Sequence, residues 1–198
     1  SGHRGFSYMN DGNLDMRFNT KNGISARELL NSIDENELGD IIKKFGEEKK
    51  YKKIAKNIVK YSREDKMKTT FDLKEAIKDV TNPRYLNKTL SRVFQSIRIK
   101  VNNEIDNLNL FLSSSLKHIK KGGRLVIITF HSLEDSIVKH FFKKNEISCI
   151  CPPAFPICNC NYKAKLKIIN RKGILPSDEE IKNNSRARSA KLRIAECL

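Results

Sequence analysis

Arg124-Leu-Val-Ile-Ile-Thr-Phe-His-Ser-Leu-Glu-Asp135 sets the fold class of this chain: an apolar run that reads as a buried strand passes straight into a helix start, with His131 and Ser132 at the joint. In open α/β sheets the ligand crevice lies beyond the carboxyl ends of the strands, so polar residues directly after an apolar strand are placed to meet a substrate. A second reading stands beside it. Ser132 followed three residues later by Asp135 is the pattern of a capping box, with His131 orienting the turn.

Working outward, Gly122-Gly123 stops a long helical pattern carried by Leu90, Val93, Phe94, Ile97, Val101, Ile105, Leu108, Leu112, Leu116 and Ile119. That length predicts one long helix or two joined with a bend. On the other side a helix from 132 to about 144 carries Leu133, Ile137, Val138, Phe141 and Phe142. The helix-strand-helix order predicts a parallel α/β sheet. A short strand at 166–169, a capped helix at 177–183 and a terminal strand at 190–195 follow, the two strands forming an antiparallel edge hairpin around the helix.

The first half reads as helical. Ser25 with Glu28 and Asp34 with Glu37 are helix-start signatures, each followed by apolar residues at helical spacing. Thr69 starts another helix, with Leu73, Ile77 and Val80 inward, which ends around Asn82-Pro83. Between residues 47 and 63 Tyr51, Ile54, Ala55, Ile58 and Val59 form an apolar stripe, opposite Lys49, Lys53, Lys56, Lys60 and Arg63. This cationic face is either solvated surface or a surface for phosphates, since cations with no interleaved acid repel one another.

A length of 198 residues suffices for one substantial core, or one core and a small satellite. Lys and Arg total 39 against 23 Asp and Glu, a formal charge of +16, which points to a polyanionic partner, nucleic acid before an acidic membrane surface. Part of this charge reflects the abundance of Lys over Arg and of Asn, the signature of an A+T-rich genome. No stretch approaches the ~18 apolar residues of a membrane span, and no charged-then-apolar signal pattern opens the chain. No membrane partner is expected.

Two further constellations could carry chemistry. Of the 5 cysteines, Cys149, Cys151, Cys158 and Cys160 cluster around Pro152, Pro153 and Pro156, and Cys197 stands apart. Four convergent thiolates suit a closed, tetrahedral structural zinc; reduced, loosely packed thiols are the other reading, because the spacing departs from the commoner CxxC knuckle. The segment Arg4-Gly-Phe-Ser-Tyr-Met-Asn-Asp-Gly-Asn-Leu-Asp-Met-Arg-Phe18 mixes acids, arginines and aromatics without a period. As a substrate loop it offers Arg17 to a phosphate, Phe6 or Tyr8 to a base face, and Asp11 or Asp15 to an exocyclic amine. As a simple turn-rich loop, Asp11-Gly12 only reverses the chain.

In order along the chain, Arg4-Gly-Phe-Ser with Asp11-Gly12 and Leu14-Asp-Met-Arg17, Phe45-Gly-Glu-Glu48, the stretch from Arg92 to Asn102, Gly122-Gly-Arg-Leu125, Phe130-His-Ser-Leu-Glu-Asp135 and Pro176-Ser177 with Arg186-Ala-Arg-Ser-Ala-Lys-Leu-Arg193 resemble the bacterial 16S ribosomal RNA cytosine N4-methyltransferases. Collinear motifs over nearly the whole chain carry the resemblance. It implies an α/β fold, the C-terminal part of a class I (Rossmann-like) methyltransferase with an inserted all-helical domain, divided as 1–23 for a substrate and active-site loop, 24–98 for the insert and 99–198 for the sheet with its Cys-rich loop at 149–160. It implies S-adenosylmethionine as cofactor, 16S-type ribosomal RNA or the small ribosomal subunit as partner, and a bacterial cytosol or a eukaryotic organelle as the compartment.

Family members begin with a further segment holding the glycine-rich cofactor loop and the acidic ribose ligand, as the fold's logic requires. No G-x-G-x-x-G occurs here, and Ser1-Gly2-His3 reads as a fusion remnant. A truncated piece with an exposed apolar sheet edge is therefore expected, its cofactor site mostly outside this chain. The resemblance makes Asp11, Asp15, His131 and Ser132 the candidates for contacting the cytosine. Arg17, Arg98, Arg186 and Arg188 join the lysine stripe as candidates for the RNA backbone, although Arg98 at its spacing also suits a salt bridge inside the insert. A non-catalytic, basic RNA- or ribosome-binding module is the competing function.

Overall fold

Capping chemistry places the first helices. Ser25 accepts from the Glu28 N–H while the Glu28 carboxylate accepts from the Ser25 N–H, and α1 spans Ala26–Ser32. Asp34 accepts from the N–H groups of Asn36 and Glu37 and opens α2, Glu35–Gly46. Helix α3, Tyr51–Arg63, has no side-chain cap and owes its position to packing of Ile54, Ala55, Ile58 and Val59. A second reciprocal box, Thr69 with Asp72, heads α4, Thr70–Lys78.

The computed structural model describes residues 4–149, 151, 160 and 162–198, which form two units, Ser1–Glu104 and Ile105–Leu198. In the first unit α5, Leu86–Val101, buries Leu90, Val93, Phe94 and Ile97 against the other helices. Each such side chain contributes about 1.5–3 kcal/mol by leaving water. Gly46 permits the close approach: a Cβ there would lie 2.7 Å from the Arg92 carbonyl oxygen on α5. The N-terminal segment is part of this core, since Leu14 and Met16 are 1% and 0% exposed.

The long helical pattern resolves into α5 and a separate helix α6, Glu104–His118. Asn103 between them takes a left-handed φ of 48°, a conformation that asparagine tolerates better than most residues. The Asn102 side chain donates to the Arg98 and Met16 carbonyls and accepts from the Phe18 N–H, so the break doubles as a clamp on the N-terminal segment.

In the second unit β1, Arg124–Thr129, leads into α7, Ser132–Glu146; β2, Leu166–Ile168, α8, Asp178–Asn183, and β3, Lys191–Cys197, complete the order. The sheet runs β1-β3-β2, and both pairings are antiparallel. The expected antiparallel pairing of the two late strands is present. The parallel sheet is not: among the described residues β3 enters between β1 and β2. Those two do point the same way around α7, as helix-strand-helix order suggests, but order along the chain does not say which strand separates them.

Alternation along β1 buries Leu125, Ile127 and Thr129 toward α7, where Val138 and Phe142 pack with them. The opposite face leaves Val126 at 52% and Ile128 at 55% exposed. With β3 on one side only, β1 is an edge strand carrying apolar side chains on an uncovered face among the described residues, as expected of an open sheet.

Candidate functional site

The strand-to-helix joint is built differently from its sequence pattern. The N-cap of α7 is His131, whose Nδ1 accepts from the Glu134 N–H at 3.3 Å, while the Glu134 carboxylate accepts from the Phe130 N–H at 2.8 Å. The expected box of Ser132 with Asp135 is thus corrected to a His131 N-cap, with the Glu134 carboxylate reaching one residue further back to the Phe130 N–H. An extended φ of −147° at His131 is what an N-cap requires, and Ser132 becomes the exposed first residue of the helix.

With Nδ1 accepting, a neutral His131 ring carries its proton on Nε2. That atom is buried without a hydrogen bond among the described residues and sits 3.4 Å from Glu134 Oε1, and the side chain is 8% exposed. In this arrangement the imidazole has no open lone pair, and it holds the joint in shape.

Asp135 turns to the sheet instead. Arg193 on β3 donates Nε to Oδ1 at 2.6 Å and Nη2 to Oδ2 at 2.9 Å, and Lys191 Nζ lies 3.2 Å from Oδ2. The Arg193 guanidinium, helped by Lys191, holds the Asp135 carboxyl below the usual carboxylate range. Arg193 stood inside a quoted motif but its partner lies 58 residues away, a contact that no local spacing announces.

In the N-terminal segment Asp11 and Asp15 have separate duties. Asp11 Oδ1 accepts from its neighbour Gly12 N–H, from Phe71 N–H and from the Thr70 hydroxyl, tying the segment to the head of α4. Chiefly the Thr69 hydroxyl keeps its carboxyl lower than usual. Asp15 pairs with Arg17, Nε to Oδ1 at 2.5 Å and Nη2 to Oδ2 at 3.3 Å, and this lowers its carboxyl too. The residue between them, Met16, is fully buried at a φ of 57°, a left-handed position that brings the two flanking side chains together. The residue offered to a phosphate and the one offered to an amine are therefore one ion pair.

Among the cations, the lysine stripe divides. Lys53, Lys56 and Lys60 line a cleft of about 580 Å³ with Arg63 and Val80, whereas Lys49 lines a separate one with Lys50. None of the four lysines makes an ion pair among the described residues. Arg98 is held by Glu104, with Nε and Nη2 at 2.8 and 2.9 Å from its two oxygens, so its bridge goes to a residue six positions on and beyond the 24–98 insert rather than to a partner inside it. Arg186 and Arg188 project, exposed, from a short 3₁₀ turn, Ser185–Ser189, anchored by buried Ala187.

Of the cysteines, Cys149, Cys151 and Cys160 bring their sulfurs within 4.8 Å of one another, with Cys160 Sγ 3.8 Å from Cys149 Sγ. Cys158 lies outside the described residues.

The model of the MraW methylase family matches residues 1–198. Among curated proteins the chain is similar to ribosomal RNA small subunit methyltransferase H of Caldicellulosiruptor saccharolyticus, 45% identical over 194 residues, covering 98% of this chain and 63% of the relative. The protein of the same name from Clostridium botulinum is 49% identical over 193 residues, 96% of this chain and 62% of that one. That of Finegoldia magna is 46% identical over 197 residues, 98% and 63%. The chain thus spans about 63% of the length of the curated relatives it matches.

Proposed function

Because the chain belongs to the MraW methylase family, we propose that it is the substrate-facing part of an S-adenosylmethionine-dependent enzyme that methylates N4 of a cytidine in small-subunit ribosomal RNA. The observation that carries this reading is the match along the whole chain to relatives named as small-subunit ribosomal RNA methyltransferases. Exposed lysines on α3 in the first unit, and exposed Arg186 and Arg188 in the second, all without carboxylate partners among the described residues, give each unit cations suited to an RNA backbone.

The residues present do not by themselves fit the methyl donor. The strand-to-helix turn at Phe130-His131 has no glycine, and its helix N-terminus is filled by the His131 ring and by Glu134, whose charge opposes a carboxylate there. We therefore assign the principal cofactor contacts to residues beyond this chain. Isothermal titration of the chain with S-adenosylmethionine should show weak or no binding; micromolar binding overturns that assignment.

On the substrate side, an exocyclic cytosine amine is a weak nucleophile because its lone pair is delocalised into the ring. It needs an acceptor that orients it and takes up its proton as nitrogen becomes tetrahedral. Asp11 and Asp15, with carboxyls held low, stay ionised at neutral pH and serve as hydrogen-bond acceptors that orient that amine, whose proton leaves to solvent water. His131 fixes the joint that carries Ser132. We place residues 1–23 as the active-site loop, 24–98 as the inserted helical domain and 99–198 as the sheet part.

We also propose a structural zinc at the cysteine cluster, with Cys149, Cys151 and Cys160 as three of its ligands and Cys158, which lies outside the described residues, as the fourth. Two thiolates each ~2.3 Å from a tetrahedral ion lie ~3.8 Å apart, the spacing of Cys149 and Cys160. Elemental analysis of protein purified without chelator should find stoichiometric zinc, lost in Cys149→Ser; a metal-free, equally stable protein overturns it.

The activity is tested with the polypeptide that carries this chain, methyl-labelled S-adenosylmethionine and small ribosomal subunits, followed by nucleoside mass spectrometry. N4-methylcytidine is expected. RNA binding with no transfer would favour the non-catalytic module.

A further inference from the structure

A cleft of about 450 Å³ in the helical unit shares no lining residue with the cleft of Lys53, Lys56 and Lys60. That is within the usual ~300–1,000 Å³ range of small-ligand sites. The loop between α2 and α3 supplies Glu48, Lys49 and Lys50; the turn after α4 supplies Thr81 and Tyr85; the first turns of α5 supply Lys88, Thr89 and Arg92.

Its inner wall is polar and buried. Glu48, Thr81 and Thr89 are 7%, 8% and 5% exposed. Glu48 Oε1 accepts from the Lys50 N–H at 3.1 Å, and its Oε2 meets the Thr89 hydroxyl and Arg92 Nη1, each at 3.4 Å. These two contacts are long for a buried carboxylate, leaving Oε2 weakly satisfied. Thr81 Oγ1 is buried with no hydrogen-bond partner among the described residues. An unmade buried hydrogen bond is costly, so a hydroxyl in this state beside a cleft marks the place of a polar ligand group.

The rim is cationic and aromatic. Lys49, Lys50 and Lys88 are exposed and paired with no acid among the described residues, and Glu48 is already matched by Arg92. The cleft therefore carries uncompensated positive charge. Tyr85 at the rim is 53% exposed, with the Arg84 guanidinium 5.7 Å from its ring centroid, a pairing that adds a cation to a flat ring half in water.

Charge, a stacking ring and unsatisfied buried polar groups in a volume of this size match one unit of a nucleic acid. We propose that this cleft seats a single unpaired nucleotide of an RNA strand, its phosphate among Lys49, Lys50 and Lys88, its base on Tyr85, and the polar edge of the base toward Thr81 and Glu48. Duplex RNA hides its bases from such a contact, whereas unpaired bases stack on aromatic side chains. The proposal rests on the RNA-substrate reading above and adds to it a second anchoring point on the RNA strand.

Fluorescence anisotropy of the full chain with a labelled unpaired RNA oligonucleotide tests it. Tyr85→Ala should weaken binding ~10-fold or more, and Tyr85→Phe should not. Lys88→Gln should lower the slope of log affinity against log salt by about 1, and Thr81→Val should change the ranking of homopolymer oligonucleotides. Tyr85 and Lys88 are surface residues, and thermal melts that match the parent keep their results readable.

Tyr85→Ala binding at parent affinity overturns the proposal, as does duplex RNA binding equally well. Cytidine monophosphate competing as strongly as the oligonucleotide, with the same Tyr85 dependence, would make the cleft a free-nucleotide site and also overturn it. The two readings fail separately. Loss of binding in a Lys53, Lys56 and Lys60 to Gln variant with none in Tyr85→Ala removes only the nucleotide cleft, whereas no RNA binding by the parent chain removes the RNA reading itself.

Discussion

Arg193 on β3 holds Asp135 in the first turn of α7 through two parallel hydrogen bonds, at 2.6 and 2.9 Å. The pair is nearly buried, at 6% and 16% side-chain exposure, and it locks the helix that follows the functional joint onto the sheet. Removing one partner strands the other's charge in the interior, which costs about 3–5 kcal/mol. Asp135→Asn should therefore lower the unfolding free energy of this unit, measured by urea titration, by an amount of that order. Asp135→Asn with Arg193→Met should recover part of the loss, because no buried charge then lacks its partner.

The same pair predicts a direction for acid unfolding. Arg193 and Lys191 set the Asp135 carboxyl below its value in the unfolded chain, which is about 3.9. A depressed folded value means the carboxylate stabilises the fold in full above about pH 4–5, and that stability is lost as pH falls through the folded value. Asp15, held low by Arg17, acts with the same sign in the helical unit. Melting temperature should be insensitive to these groups near neutrality and fall below about pH 4. Asp135→Asn should flatten that acid limb for the sheet unit.

His131 separates positioning from chemistry. His131→Ala removes the N-cap acceptor of α7, at about 1 kcal/mol, and His131→Asn supplies another acceptor at the same place. We expect His131→Ala to lower turnover of the complete enzyme more than substrate binding, and His131→Asn to restore both the melting temperature and most of the turnover. Turnover that stays low while stability recovers would show that the imidazole itself takes part; an effect on binding alone would count against either role.

The uncovered face of β1 predicts self-association. Val126 and Ile128 lie on an edge strand with its second edge unpaired among the described residues, the arrangement that invites strand addition. Val126→Thr with Ile128→Thr should shift sedimentation of the isolated chain toward monomer, with unfolding free energy changed by no more than about 0.5 kcal/mol per site. Unchanged association would place the sticky surface elsewhere.

Where local chemistry dominates, the sequence was sufficient. Ser25 with Glu28, and Thr69 with its neighbours, satisfy orphan helix N–H groups within one turn, so those starts were readable from spacing. The α3 stripe was readable for the same reason, since its period alone puts Ile54, Ala55, Ile58 and Val59 on one side. The cap of α7 was not. Serine at position 132 and histidine at 131 both offer an acceptor, and Asp135 is drawn off by Arg193 across the sheet, leaving Glu134 to complete the cap.

The amino-acid order alone determined the helical first half, the strand-to-helix joint at Thr129-Phe130-His131, the cationic character and, through collinear motifs, the family. Each of these depends on residues within a few positions of one another or on identity along the chain. Tertiary structure decided the rest: that β3 enters between β1 and β2, that Arg17 is matched by Asp15 across a left-handed Met16, that the lysine stripe opens into separate clefts, and that Thr81 is left with a buried, unpaired hydroxyl. Strand pairing and burial depend on what the chain brings back from far along its length, and the Asp15–Arg17 pair on a left-handed backbone at Met16, and no periodicity records either.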